Sequence, residues 1–290
     1  MSDAWLKRSF LAPTLILLIG LNIFPLIWSL YLSFHDYNAT GSAAPVYVGT
    51  ENFRSILNDP TTWRYFQTTA TFVTCAVGLE FLLGFGLAML FNRAFAGRGF
   101  WLTLALLPMM LSPAIVGLFW KFLLDPTWGF ITHAISIVTR QSPPEWLTDP
   151  DNVMKALVLV DVWMWTPFML LISLAGLAAV PKSLYEAASV DRASALFRFF
   201  RITLPMIAPL LLVALLFRTM DAFKLFDMVY TLTNGGPGDA SETVSVSLYR
   251  LAFQQFDTGK ACALAYIMLV IVIALSNLYV RMLVKIKGEL

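Results

Sequence analysis

Six stretches of this chain are each apolar enough, over enough residues, to cross a bilayer. They run at about Phe10–Phe34, Tyr65–Phe91, Phe100–Leu124, Val153–Leu177, Leu204–Thr219 and Ala261–Leu283. A hydrocarbon core needs roughly 20 apolar residues per helix, with every backbone amide satisfied inside the segment. The pattern therefore predicts an all-α membrane protein with six transmembrane helices. Charge agrees with this. Of 290 residues only 13% are charged, against roughly 25% in a soluble domain. That is too little to cover a soluble surface at this length, which counts against a soluble enzyme, a disordered regulator or a disulfide scaffold. The first stretch follows Lys7 and Arg8, but it is too long for a signal-peptide core and lacks a small-x-small cleavage site. It reads as an uncleaved span.

Pro108 and Pro113 interrupt the third run and Pro167 the fourth, while Pro13 and Pro25 should kink the first mildly. Carbonyls freed by proline need protein or a cavity beside them, not bare lipid. One side of the membrane receives Lys7, Arg8, Arg93, Arg98, Lys182, Arg192, Arg198, Arg201, Arg281, Lys285 and Lys287 in short segments. The other receives Arg54, Arg64, Arg140, Lys155, Arg250 and Lys260 in longer loops rich in acid. The excess of positive charge puts both termini in the cytoplasm. Outer loops then fall at about 35–64, 125–152 and 220–260, within a single transmembrane domain over 1–290. The net charge of +2 is too small to suggest nucleic acid. Cys75 and Cys262 read as reduced, buried thiols. His35 and His133 are isolated, with no metal-ligand spacing.

No catalytic constellation is visible. Gly84 and Gly86 fit close helix packing. The loop Asn234–Gly238 lacks the Lys-Ser/Thr of a phosphate-binding loop, so no ATPase site is expected in this chain and no cofactor. Ionisable groups at membrane depth are better leads, since a buried charge must be paired: Glu80, Lys121 and Asp161 lie in or near spans. Arg218, Asp221, Lys224 and Asp227 recur at intervals of three, which allows Arg218–Asp221 and Lys224–Asp227 pairs on one helical face. They are either ion pairs at a helix end or a polar wall along a solute path. Asp161 with Trp163, Trp165 and Phe168 suggests either a sugar-binding surface or ordinary packing. Asp161, Trp163, Trp165, Phe168, Asp221, Lys224, Asp227 and Asn234 are the candidate solute contacts.

Residues of about 178–205 differ from the other connections: too charged to span and too apolar for plain linker. Ser183 with Glu186 three residues on forms a candidate capping box, and Leu184, Ala187, Ala188 and Ala195 a small apolar face. Within this segment, Glu186-Ala187-Ala188, Asp191, Ala193, Phe200, Ile202, Leu204, Pro205 and Pro209 resemble the EAA loop of binding-protein-dependent ABC importer permeases. Trp165-Thr166-Pro167-Phe168, Leu174–Leu177 and the string Phe226–Gly238 are similar to the carbohydrate branch, of maltose and glycerol-phosphate permease type; so are Val48-Gly49 and Glu51-Asn52-Phe53. One departure stands out, because Arg192 occupies a place where that family usually has Gly. It suggests a different turn there, or a basic contact to an acidic patch on a partner.

The resemblance implies a type I ABC importer permease fold in a bacterial or archaeal inner membrane. It implies a second permease subunit, as a heterodimer, together with two ATPase subunits that bind ATP and Mg, and an extracytoplasmic solute-binding protein. It assigns ATPase coupling to Glu186, Ala187, Ala188, Asp191, Arg192, Arg198, Arg201 and Pro205. It also implies a sugar-like solute: oligosaccharide, hexose, polyol, sulfonated sugar or glycerol phosphate. The alternative is an ion-coupled secondary transporter of a small polar solute, which would show duplicated halves and an unpaired midplane carboxylate; no internal repeat is visible.

Overall fold

The computed structural model describes residues 3–41 and 43–289, and the side chains of all of these except 3–9, 287 and 289. Lys7, Arg8 and Lys287, counted above for orientation, have their side chains outside that set. In chain order the helices are α1 (Phe10–Ser33), α2 (Glu51–Asn58), α3 (Pro60–Phe91), α4 (Arg98–Leu106), α5 (Pro113–Leu123), α6 (Phe130–Thr139), α7 (Pro150–Ala179), α8 (Lys182–Val190), α9 (Ala195–Phe223), α10 (Asp227–Leu232), α11 (Val244–Tyr249) and α12 (Thr258–Glu289). Among them α1, α3, α7, α9 and the stretch Thr258–Ile286 of α12 are long and apolar enough to cross a membrane.

The run Phe100–Leu124 is not one helix. It breaks into α4, a 3-10 turn at Pro108–Met110, and α5. Neither Pro108 nor Pro113 has an N–H to give to the preceding turn, and Leu111 and Ser112 are extended between them. Pro113 then opens a fresh helix, the one place in a helix where its missing N–H costs nothing. Pro167, by contrast, does not interrupt the fourth run, because α7 continues through it from Pro150 to Ala179. In α1 the turn before Pro25 widens to a π-helix over Ile19–Ile23, a local adjustment that absorbs the lost donor.

By internal contacts the chain forms two units, residues 1–63 with 247–271 and residues 64–246 with 272–290. In the first, α1 runs into a two-stranded antiparallel hairpin that pairs His35–Asp36 with Val46–Tyr47. The buried Asn52 amide donates to the carbonyls of Ser33 (3.0 Å) and His35 (2.9 Å), so α2 closes the end of α1. Asp59 caps the start of α3 by accepting from the Thr61 and Thr62 amides. Burial pushes the Asp59 carboxyl up, but those hydrogen bonds outweigh it and hold it below the ordinary value.

The second unit has an apolar core in which Phe85, Ala88 and Phe91 of α3 meet Leu170, Leu174 and Leu177 of α7 and Ile207 and Leu211 of α9. Close approach of α3 and α7 depends on Gly84. A Cβ there would lie 2.5 Å from Met169 Cβ and 2.8 Å from the Leu170 amide nitrogen. Around Gly86 nothing lies within 4 Å, so the close-packing reading holds at the first glycine and not the second. Gly84→Ala is therefore expected to destabilise by about 1–3 kcal/mol, because backbone must shift to admit it. Gly86→Ala should be neutral or slightly stabilising, since Ala is the better helix former. Melting temperatures of the two variants in detergent separate the cases. α5 approaches α10 in the same way, at Gly117 against Thr231 and the Met228 carbonyl. The two cysteines are free, but Cys75 is exposed and Cys262 half-buried, which corrects the expectation of buried thiols. An apolar thiol on the outer face of a spanning helix meets lipid or protein at no polar cost.

Candidate functional site

The segment 178–205 folds as the short helix α8, a tight turn and the first turns of α9. Val180 and Pro181 are extended, and α8 starts directly after them. Pro181 takes the cap position with no side-chain hydrogen bond, so the capping box expected from Ser183 and Glu186 does not form. Ser183 is already inside the helix, and Glu186 is exposed on its surface. α8 ends in a Schellman turn: the Ala193 amide donates to the Ala188 carbonyl at 2.9 Å and the Arg192 amide to Ser189 at 3.1 Å. Arg192 itself sits at φ 55°, in the left-handed conformation usually given to Gly. The turn that Gly would favour is thus kept, with a long cation placed on it. Arg192→Gly is expected to stabilise the turn by up to about 1 kcal/mol, because a Cβ is penalised at positive φ. Slower amide exchange at Ala193, whose amide closes the turn on the Ala188 carbonyl, would be the sign of it.

Beyond the turn, Ser194 caps the next helix by accepting from the Phe197 amide. Arg198 donates to Ser189 Oγ at 3.5 Å, and Ser189 in turn donates to the Tyr185 carbonyl. Tyr185 Oη and Thr203 Oγ1 hydrogen-bond at 2.8 Å, which ties α8 to the start of α9. A groove of about 510 Å³ results, lined by Leu184, Ala187, Ala188, Asp191, Phe197 and Ile202 among others. Of the remaining residues singled out, Arg201 is exposed, and Pro205 follows a π-helical turn at Phe199–Thr203. The arrangement is an exposed, hydrogen-bonded knob whose groove is floored by small residues and flanked by apolar ones.

A second constellation lies inside the helices of the same unit. Arg218 of α9 is 1% exposed, while Glu80 of α3 and Asp161 of α7 are wholly buried. The guanidinium grips Glu80 in a fork, Nε to Oε2 at 2.7 Å and Nη2 to Oε1 at 2.9 Å. Nη2 also donates to Asp161 Oδ2, and Nη1 to the half-exposed Asp221 at 3.5 Å. Its carbon stands 5.0 Å from the centre of the Trp165 ring, a cation–π contact. Three helices meet on one cation. Such a cluster is required once carboxylates are placed among apolar helices, because an unpaired buried charge costs several kcal/mol.

Beside the cluster opens a cavity of about 470 Å³, lined by Trp165, Phe168, Phe217, Arg218, Met220, Asp221 and Lys224. Of the candidate solute contacts, it gathers Trp165, Phe168, Asp221 and Lys224. Asp161 is behind the wall, reached only through Arg218. Trp163 belongs to a different, apolar cavity with Leu83, Pro108 and Pro167, and packs edge-on against Trp120. Asp227 is exposed at the start of α10, and Asn234 lies at φ 51° in the turn that follows that helix. The expected Arg218–Asp221 pair exists. The expected Lys224–Asp227 pair is not formed among the described residues, because α9 stops at Phe223 and a new helix begins at Asp227. Residues three apart across that break no longer share a face. Glu80, left out of the sequence-based set of candidate solute contacts, is the carboxylate that Arg218 grips at two points.

Residues 80–286 match the family described as binding-protein-dependent transport system inner membrane component. The chain belongs to that family. Members are permease subunits, and close relatives cover nearly the full length. The chain is 36% identical over 282 residues, 96% of it and 94% of the relative, to the trehalose/maltose transport system permease protein MalF of Thermococcus litoralis. It is 32% identical to the trehalose transport system permease protein SugA of Mycobacterium tuberculosis, over 97% of this chain and 90% of that one. To the sulfoquinovosyl glycerol transport system permease protein SmoG of Agrobacterium fabrum it is 31% identical, over 98% and 92%. Among solved structures, a chain of a bacterial alginate ABC transporter, crystallised with a periplasmic protein carrying an alginate pentasaccharide, superposes with a TM-score of 0.82 at 23% identity. That match covers 95% of this permease and 92% of the other chain. The permease thus has the type I ABC importer fold, and the break at Pro108–Pro113 falls within it.

Proposed function

We propose that this permease subunit imports a sugar or sugar-like solute, driven by a separate ATPase that docks on the segment 178–205. The solute reading rests most directly on the cavity in which Trp165 and Phe168 stand edge to face, 6.4 Å apart, beside Asp221 and Lys224. Aromatic faces suit the C–H faces of a sugar ring, and carboxylate and ammonium groups suit its hydroxyls. The relatives named for trehalose, maltose and sulfoquinovosyl glycerol support the same class. On this reading ATP and Mg bind the partner ATPase, and the chain has no catalytic activity of its own.

Glu186 is the polar anchor of docking, exposed on α8, with Ala187 and Ala188 allowing close approach and Arg198 bracing the helix from behind. Asp191, Arg192, Arg201 and Pro205 shape the rest of the knob. A second permease subunit completes the pathway, both termini face the cytoplasm, and a solute-binding protein delivers from outside. ATP binding then biases two discrete packings of the subunits.

Proteoliposomes holding the complete importer test this, with radiolabelled trehalose and maltose as probes. Uptake is expected only with ATP inside the compartment that the ATPases face and binding protein on the opposite side. Accumulation driven by a sodium or proton gradient without ATP would overturn it in favour of a secondary carrier.

A further inference from the structure

Among the described residues Arg218 is the one buried cation in the wall of the cavity, and a buried arginine would ordinarily mark a site for an anionic solute, such as a sulfonate, phosphate or uronate. Four of its five donors are already engaged. Of the five N–H groups of a guanidinium, one from Nε and two from Nη2 go to Glu80 and Asp161, and one from Nη1 goes to Asp221. The stacked face is covered by Trp165. Glu80 and Asp161 are fully buried and hold Arg218 from two different helices, so the guanidinium cannot turn toward an anion without leaving both carboxylates unpaired. With Lys224 included, three carboxylates meet two cations: Asp221 lines the cavity with Arg218 and Lys224, while Glu80 and Asp161 back Arg218 from behind the wall.

We propose that Glu80 and Asp161 are positioning and specificity residues, which consume the charge of Arg218 so that this subunit's cavity accepts an uncharged polyhydroxylated solute and rejects an anionic one. The inference rests on the reading of this cavity as part of the solute path, and it selects within the solute classes that reading allows. Arg218 serves as a fixed, dry wall that orients Trp165, and hydroxyls of the solute are met by Asp221 and Lys224 at the rim.

Cavity potential can be read without knowing the solute. In the complete importer with Cys75→Ser and Cys262→Ser, Phe217→Cys places a thiol on the cavity lining. Its modification rates by a trimethylammonium-ethyl and a sulfonatoethyl methanethiosulfonate are compared with those of a free thiol in solution. The cationic reagent is expected to be favoured by about fivefold beyond the free-thiol ratio. Asp221→Asn, at a half-exposed site with little folding risk, should lower that preference. Glu80→Gln with Asp161→Asn should reverse it if the double variant folds. A preference for the anionic reagent in the parent, or one unmoved by Asp221→Asn, overturns the inference and leaves the pathway reading standing. A thiol that reacts with neither reagent, in resting or ATP-bound importer, overturns the pathway reading and the inference together.

Discussion

Arg218→Met is expected to destabilise the subunit by about 3–5 kcal/mol, enough to deplete folded protein from the membrane. The two side chains are similar in volume, so the loss is one of charge and hydrogen bonds more than of packing. Glu80 and Asp161 would remain in the helix interior with their countercharge gone, and removing one partner of a buried ion pair costs that much because the other stays behind. The triple variant Arg218→Met, Glu80→Gln, Asp161→Asn should recover most of the loss, since no uncompensated charge is left. Yield of monodisperse protein and melting temperature in detergent measure both steps. A single variant as stable as the parent would mean that the three helices are held by their apolar core alone, with Phe85, Leu170 and Ile207 sufficient.

Glu186→Ala has the opposite profile: little change in stability and a large loss of transport. Glu186 is exposed on a helix whose cap it does not serve, so its removal should alter stability by no more than about 0.5 kcal/mol, as for most surface sites. If it anchors the ATPase, uptake should fall by at least about tenfold, the equivalent of 1.4 kcal/mol of docking energy. Membrane insertion and melting temperature should match the parent. Equal uptake would return Glu186 to the solvated surface and leave the coupling role to the groove residues.

The sequence carries the helices because the bilayer permits little else. A run of 20 apolar residues has no alternative to helix in hydrocarbon, and the prolines at 108 and 113 already mark the broken span. What escaped was which residues face each other across helices. Asp221 is visible as a partner of Arg218 because it lies three residues on. Glu80 and Asp161 lie 138 and 57 residues away, and only tertiary packing joins them to it. The requirement that every buried charge be paired singles out Glu80 and Asp161 as ions in apolar runs, but does not say which cation they meet. Trp163 and Trp165 stand close together in the sequence, yet two steps along a helix turn a side chain by about 200°. Asp161, Trp165 and Phe168 share one face and Trp163 the other, where it packs on Trp120. Ser183 failed as a cap for a local reason, because the chain enters α8 at Pro181. Arg192 failed to disrupt its turn because a single left-handed arginine is affordable where the Schellman hydrogen bonds are kept.

Purification of the tagged chain in gentle detergent from its own host, with mass spectrometry of the proteins that accompany it, tests the central claim most directly. A second permease subunit and an ATPase in stoichiometric amounts are the expected result, with the ATPase lost from the Glu186→Ala sample. A chain that emerges alone, and moves solute in liposomes without ATP, would contradict the account.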